Sequence, residues 1–322
     1  MSDVKLNVEL FYRRLGFVLD EWKTATEEDT EKLPLPSTGA LLFVAGNADE
    51  ANPYRKTGAL QTYLLGYEFP STLMLITPDE VTFLCSEGKA KILRVLENAD
   101  KSKFKDSNSV NAAISVKILV KTKDVTQANK AMEEVLSAIE EVVGSGKKLG
   151  CLLKDKYAGK FVDEWNTFVK SKKKTDLFKE ASDISSGLSV MLAVKEEEEL
   201  ANTQVACKMT HKLMGTLCQH MTTLIEAEKK ITHERLTDFI ESKLEDSSVW
   251  KGVKFSPDFD STYSDWCYTP IIQSGGVYDL RTSAQSSDER LQDTGIILAN
   301  LGIRYKSYCS NVCRTVMIDP HQ

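Results

Sequence analysis

Histidine is scarce in this chain, with four in 322 residues: His211, His220, His233 and His321. None falls between His233 and His321, so an acid–base centre built on imidazole has no candidate in that stretch. No apolar run approaches the roughly 18 residues that a membrane-crossing helix needs. The stretch from Met1 to Gly16 is polar and charged throughout and lacks the continuous apolar core of a secretory signal. Positive charge is not in excess either. A net charge of −6 and a pI near 5.5 argue against a DNA-binding surface, which is normally basic. The seven cysteines, Cys85, Cys151, Cys207, Cys218, Cys267, Cys309 and Cys313, form no paired framework. Their odd number and dispersal suit a reducing compartment, cytosol or nucleus. Only Cys309 and Cys313 are close, and no second Cys/His pair stands at zinc-finger spacing. Four apart in a strand, they face one side and read as buried thiols.

What is present is ordinary globular material, and its length suits two domains with a core of useful size. Apolar runs at 41–45, 72–76, 81–85, 114–120 and 149–153 read as short strands. Helical patterns lie near 56–66, 88–98, 127–143 and 157–170. In the third of these Ala131, Val135, Ala138, Ile139 and Val142 share a face, and Gly144 and Gly146 end it. Such alternation predicts an α/β layer domain. The runs at 72–76 and 81–85 are joined by Pro78-Asp79-Glu80, which predicts a hairpin and leaves the strand order open. From Lys170 to Asp183 charge rises and periodicity breaks, so the boundary is placed to give domains 1–178 and 179–322. The Lys170–Lys174 cluster suits nuclear import, although such clusters are commonly solvated helix ends.

Beyond the boundary, Lys195 and four glutamates open a long helix, where first-turn acids complement the helix dipole. Ala201, Val205, Met209, Leu213, Leu217, Met221 and Leu224 recur at three- and four-residue steps, one stripe for a sheet. His211 and His220, nine apart, cannot share a metal ion. A second helix is predicted over 232–245, then strands at 268–273, 294–301 and 305–317.

The most informative residues are Asn300 and Asn311, eleven apart. Gly302, Tyr305, Tyr308, Arg314 and Thr315 surround them. This stretch resembles the metal-binding hairpin of the pita-bread metalloaminopeptidases, the family of methionine aminopeptidase, aminopeptidase P, prolidase and creatinase. There two aspartates eleven apart ligate a dinuclear metal centre; here both positions hold asparagine. An amide offers a neutral carbonyl oxygen where the metal pair needs anionic, bridging ones. One unit charge pair at 4 Å and an effective dielectric near 20 is worth roughly 4 kcal/mol, so two lost carboxylates remove several times that. Creatinase works on this fold without metal, through histidine and glutamate. The family's first catalytic histidine usually follows a Ser-Gly pair, here Ser274-Gly275, and the stretch after it, including Thr282, holds none. The resemblance therefore implies a retained scaffold, no metal, no other cofactor and no peptidase activity.

Residues Gly46 to Thr57 and Tyr63 to Pro70, with Tyr278 to Arg281 and Gly302 to Asp319, resemble the amino-terminal domain of the FACT large-subunit family. The resemblance implies an α/β amino-terminal lobe of the creatinase/prolidase kind, followed by an α+β pita-bread lobe. Relative to that family the second lobe is expected to be only its first part. Also implied are nuclear, chromosomal localisation and a non-catalytic, protein-binding role in a histone chaperone that reorganises nucleosomes in transcription, replication and repair. The partners implied are histones H3–H4, replication or transcription factors, and an HMG-box-type subunit held by other regions. In the first lobe the turn Ser86-Glu87-Gly88-Lys89 is a candidate contact, since loops entering helix amino termini commonly form sites in α/β domains. Ser86 as a helix cap and Lys89 as a solvated side chain are the plain alternatives.

Overall fold

The computed structural model describes residues 5–27, 38–48, 54–100, 114–281 and 283–319. Two compact units divide the chain, Met1–Val194 and Lys195–Gln322.

In the first unit the helices are α1 (Val8–Glu27), α2 (Lys56–Leu65), α3 (Glu87–Glu97), α4 (Val125–Gly144), α5 (Lys160–Ser171) and α6 (Ser185–Met191). The strands β1 (Thr38–Ala45), β2 (Thr72–Ile76), β3 (Glu80–Cys85), β4 (Ser115–Val120), β5 (Lys148–Cys151) and β6 (Ser182–Asp183) form one sheet in the order β4-β3-β2-β1-β5-β6. The predicted β2–β3 hairpin is present and antiparallel, β1 also pairs antiparallel with β2, and the β3–β4, β1–β5 and β5–β6 pairs are parallel. The strands are apolar almost continuously because both faces are covered. Leu41, Phe43, Met74 and Phe83 point to a core closed by α1, α2, α3 and α6. Their neighbours Ala40, Leu42, Leu73 and Leu84 point to a second core under α4 and α5. Both β6 and α6 lie inside this unit. The rise in charge after Lys170 marks the end of a helix, where Lys172 and Lys174 pair with Glu133 and Glu140 of α4.

Helix α1 was not anticipated, yet Phe11, Tyr12, Leu15, Val18, Leu19 and Trp22 form a buried stripe at helical spacing. Among the described residues no helix is long and apolar enough to cross a membrane.

The second unit is α+β: α7 (Glu197–Glu226) and α8 (His233–Glu241), with β7 (Ser264–Trp266), β8 (Ile271–Ser274), β9 (Gly295–Tyr305) and β10 (Tyr308–Ile318). β9 pairs with β10 along its whole length, and with β7 and β8 in succession on its other edge, all antiparallel. Alternate β9 residues Ile297, Ala299, Leu301, Ile303 and Tyr305 are buried against Val205, Met209, Leu213, Leu217 and Met221 of α7. Two of the glutamates opening α7, Glu196 and Glu199, have a structural role, and Glu197 and Glu198 are exposed. The Glu199 carboxylate accepts the Glu196 amide at 2.9 Å, completing a capping box, and accepts the Tyr308 hydroxyl at 2.9 Å.

Two details of the hairpin correct the sequence reading. The first strand runs on to Tyr305, and the turn is Lys306-Ser307, both residues at positive φ as in a type I′ turn. Gly302 therefore lies in mid-strand, where a Cβ would come within 2.6 Å of the Ser310 carbonyl oxygen. Cys309 and Cys313 do share a face, but they are exposed, because it is the sheet face opposite α7.

Candidate functional site

Asn300 and Asn311 meet on the outer face of the β9–β10 hairpin. Asn300 is paired with Cys313 and Asn311 with Gly302, so the two amides are diagonal neighbours, close enough to share a ligand. No Cβ rises from Gly302 opposite Asn311. Tyr268 is brought beside the two amides by the continuation of the β7–β9 ladder, in which the Cys267 amide donates to the Gly302 carbonyl at 2.9 Å. The Tyr268 hydroxyl lies 2.6 Å from Asn300 Oδ1 and also against Asn311 Oδ1. A phenol has one proton, so it donates to one amide oxygen while the other amide, turned about its Cγ, can donate its N–H to the phenol oxygen. Three neutral groups thereby satisfy one another.

Burial pushes the Tyr268 hydroxyl well above its ordinary value, with the Cys267 and Cys313 thiols adding to the effect. It stays protonated and supplies no anionic oxygen. Among the described residues no group of three or more His, Cys, Asp or Glu side chains is arranged to hold a metal ion. The donor set of two amides and a neutral phenol does not fit a pair of divalent cations, and no step is derived through them.

Both motif tyrosines and the neighbouring Arg304 have structural partners, whereas Arg314 and Thr315 are exposed. Tyr305 is buried and stacks on Phe259, Tyr308 bonds Glu199, and Arg304 pairs with Asp265 at 2.6 Å. The Ser-Gly pair has a histidine beside it after all, supplied by α8. His233 is buried, with Nε2 2.7 Å from Ser274 Oγ and Nδ1 3.0 Å from Ser287 Oγ. Burial lowers its pKa, and Glu289 opposes this only in part. A neutral imidazole joining two serines is a structural clamp between α8, β8 and the 283–292 segment. Sequence distance hid it, since 41 residues separate His233 from Ser274.

In the first unit, Gly46, Asn47, Arg55, Glu68 and Pro70, from the segments similar to the FACT family, line one small polar cleft beyond the carboxyl end of β1. It is bounded by Asn47, Arg55, Gly58, Gln61, Glu68 and Tyr157, with Pro70 at its edge. Arg55 lies over the Tyr157 ring at 4.3 Å, and Gln61 is buried, bonded to both the amide and carbonyl of Phe69. Thr57 donates its amide and hydroxyl to Asp155 at the start of α2. Burial, then Asp155, pushes the Tyr157 hydroxyl up to about 12. Ser86 and Lys89 stand together at the amino end of α3. Ser86 is the exposed N-cap by backbone geometry, with no side-chain capping bond. The Lys89 ammonium donates to the Pro70 carbonyl, and burial lowers its pKa. Its head group thus secures the loop that edges the cleft.

A metallopeptidase scaffold whose two diagnostic ligand positions are amides, closed by a phenol, defines a class of peptidase-like folds. In keeping with this, the sequence model for metallopeptidase family M24 matches residues 201–322, and that for the FACT complex subunit SPT16 N-terminal lobe domain matches residues 6–187. The chain belongs to the FACT complex subunit SPT16 family. FACT complex subunit SPT16 of Mycosarcoma maydis is 38% identical over 325 residues, covering 99% of this chain and 30% of that protein. The chain thus spans about a third of the length of such relatives. The solved N-terminal domain of FACT complex subunit SPT16 from Eremothecium gossypii superposes with a TM-score of 0.83 at 34% identity, covering 99% of this chain and 70% of that one. An X-prolyl aminopeptidase from Caenorhabditis elegans, described as having a di-nuclear active site, shares the fold at a TM-score of 0.53 and 12% identity, over 99% of this chain and 43% of that one.

Proposed function

We propose that this chain is a non-catalytic, peptidase-like protein-binding module of a nuclear histone chaperone, with histones H3–H4 as its partner. Through it the whole protein would take part in reorganising nucleosomes during transcription, replication and repair, together with the other FACT subunit. One observation carries the non-catalytic half: the neutral Asn300–Tyr268–Asn311 cluster stands where the peptidases of this fold place carboxylates and metal. Family membership supports the chaperone half. Within the module, the Ser86–Lys89 turn and the adjoining cleft are the proposed contact. Glu68 at the cleft supplies an exposed carboxylate suited to a basic histone segment.

The test is equilibrium binding of the 322-residue chain to H3–H4 at physiological salt, beside its Ser86→Lys variant, which sets a positive charge against a basic partner. Binding by the parent and weaker binding by the variant are expected. Absence of binding by the parent would reduce the module to a regulatory one without histone affinity. Equal binding by both proteins would remove the turn as a contact. Hydrolysis of an Xaa-Pro peptide by the chain would overturn the non-catalytic reading.

A further inference from the structure

On the α4/α5 side of the first unit's sheet lies a groove that the histone reading does not use. The turn from β4 into α4 forms one end, and the amino-terminal turns of α4 and α5 form the walls. Its volume, about 880 Å³, is at the upper end of the range for small-molecule sites, and its open mouth leaves room for a short length of peptide.

The chemistry of the walls is mixed in a particular way. Low in the groove lie Ala128, Met132 and Phe168, all buried, and Val125 is 72% exposed at its rim. Around this apolar strip stand Lys121, Lys123, Lys160 and Lys172, against the carboxylates Asp163 and Glu164. Glu164 is committed to Lys121, and Lys172 is held by Glu133 outside the groove. Lys160 is 90% exposed and reaches Glu164 only at 3.8 Å. Lys123 forms no ion pair among the described residues. The positive ends of two helix dipoles add to the same sign. In a chain of net charge −6, this is a local cationic surplus around an apolar floor.

We infer that this groove is a docking site for a short acidic segment of a partner protein, one that alternates carboxylates with an apolar side chain. The carboxylates would meet Lys123 and Lys160 at the rim, and the apolar side chain would lie on the exposed Val125. Complementary charge fixes sign and register, while the apolar anchor supplies most of the affinity. A basic histone tail is disfavoured here by the same lysines, so this site is separate from the proposed histone contact. Nucleic acid fits less well. Its phosphates would face Asp163 and Glu164, and Phe168, being buried, offers no open ring for base stacking.

The experiment uses the full chain and a fluorescent peptide of alternating glutamate and leucine with one phenylalanine, read by anisotropy. Its counterpart with lysine for glutamate and a single-stranded oligonucleotide serve as comparisons. The acidic peptide is expected to bind most tightly, to weaken as salt rises, and to slow hydrogen exchange in segments 121–132 and 160–172. Lys123→Glu with Lys160→Glu should weaken it about fivefold, the equivalent of about 1 kcal/mol for two exposed ion pairs, at an unchanged melting temperature. Val125→Glu keeps the helix start favourable and should weaken binding further. Equal affinity for the acidic and basic peptides would overturn the inference. So would unaltered binding by these variants, or preference for the oligonucleotide.

Discussion

Removing one oxygen tests the account of the hairpin. In Tyr268→Phe the ring remains and only the hydroxyl is lost, 2.6 Å from Asn300 Oδ1 and in contact with Asn311 Oδ1. A buried polar group left without its partner costs about 1–3 kcal/mol. Asn311 is exposed and regains water, while Asn300 is half-buried and regains it incompletely, so the lower end applies, about 1 kcal/mol. That corresponds to a fall of about 4 °C in the melting temperature of the second unit. Stability alone does not identify the cause, so the measurement is a double-mutant cycle with Asn300→Ala. When both partners are gone the penalty for an orphaned group disappears, and a coupling of about 0.5–1 kcal/mol should remain. Hydrogen exchange of residues 295–318 under urea confines the reading to β9 and β10. Because burial holds the phenol protonated well above neutral pH, the coupling should be constant from about pH 6 to pH 9. A coupling within about 0.3 kcal/mol of zero, the ordinary scatter of additivity, would refute the claim that these three groups satisfy one another.

Asn300→Asp with Asn311→Asp should give neither stoichiometric manganese, cobalt or zinc by elemental analysis nor Xaa-Pro hydrolysis. With one phenol proton for two carboxylates, like-charge repulsion raises a folded-state pKa, so stability should fall as pH rises above about 4, a trend that urea midpoints at several pH values would detect. Lys89→Glu sets a carboxylate against the Pro70 carbonyl and should lower stability by about 2 kcal/mol, whereas Ser86→Asp remains a good N-cap and should leave the melting temperature unchanged. His233 has a folded pKa below its unfolded value of about 6.5, so its contribution is present above that pH and is lost as pH falls; His233→Gln should flatten that acid loss in denaturation curves. Gly302→Ala must move the Ser310 carbonyl and should cost about 2 kcal/mol or more, measured by urea unfolding.

Local periodicity made most of the first unit legible. Runs such as Leu73 to Ile76 and Val81 to Cys85 are apolar because helices cover both faces, and Pro78-Asp79-Glu80 announced their hairpin. Strand order was not legible. β1 lies beside β2 and also beside β5, and the second pairing joins residues more than 100 apart in sequence through contacts that no local pattern records. The exposure of Cys309 and Cys313 was misjudged for a related reason: spacing tells which residues share a face, and only packing tells which face is covered. Gly302, outside the predicted strands 294–301 and 305–317, lies in mid-strand, where it permits close approach of the two strands.

At the site, the sequence resemblance pointed to Asn300 and Asn311 but not to what meets them in space. Tyr268 lies 32 residues before Asn300 and 43 before Asn311, at the start of the strand predicted over 268–273, which in the structure begins only at Ile271. Its role follows from the register that sets Trp266 opposite Ile303. The inner face of β9 buries Ile297, Leu301 and Ile303 against α7, and each such side chain contributes about 1.5–3 kcal/mol. The outer amide–phenol cluster is worth only about 1 kcal/mol. Stability of the hairpin therefore resides mainly on one face, and the amide–phenol cluster lies on the other. Side chains on the outer face can thus change with little effect on the fold, because the inner face holds it.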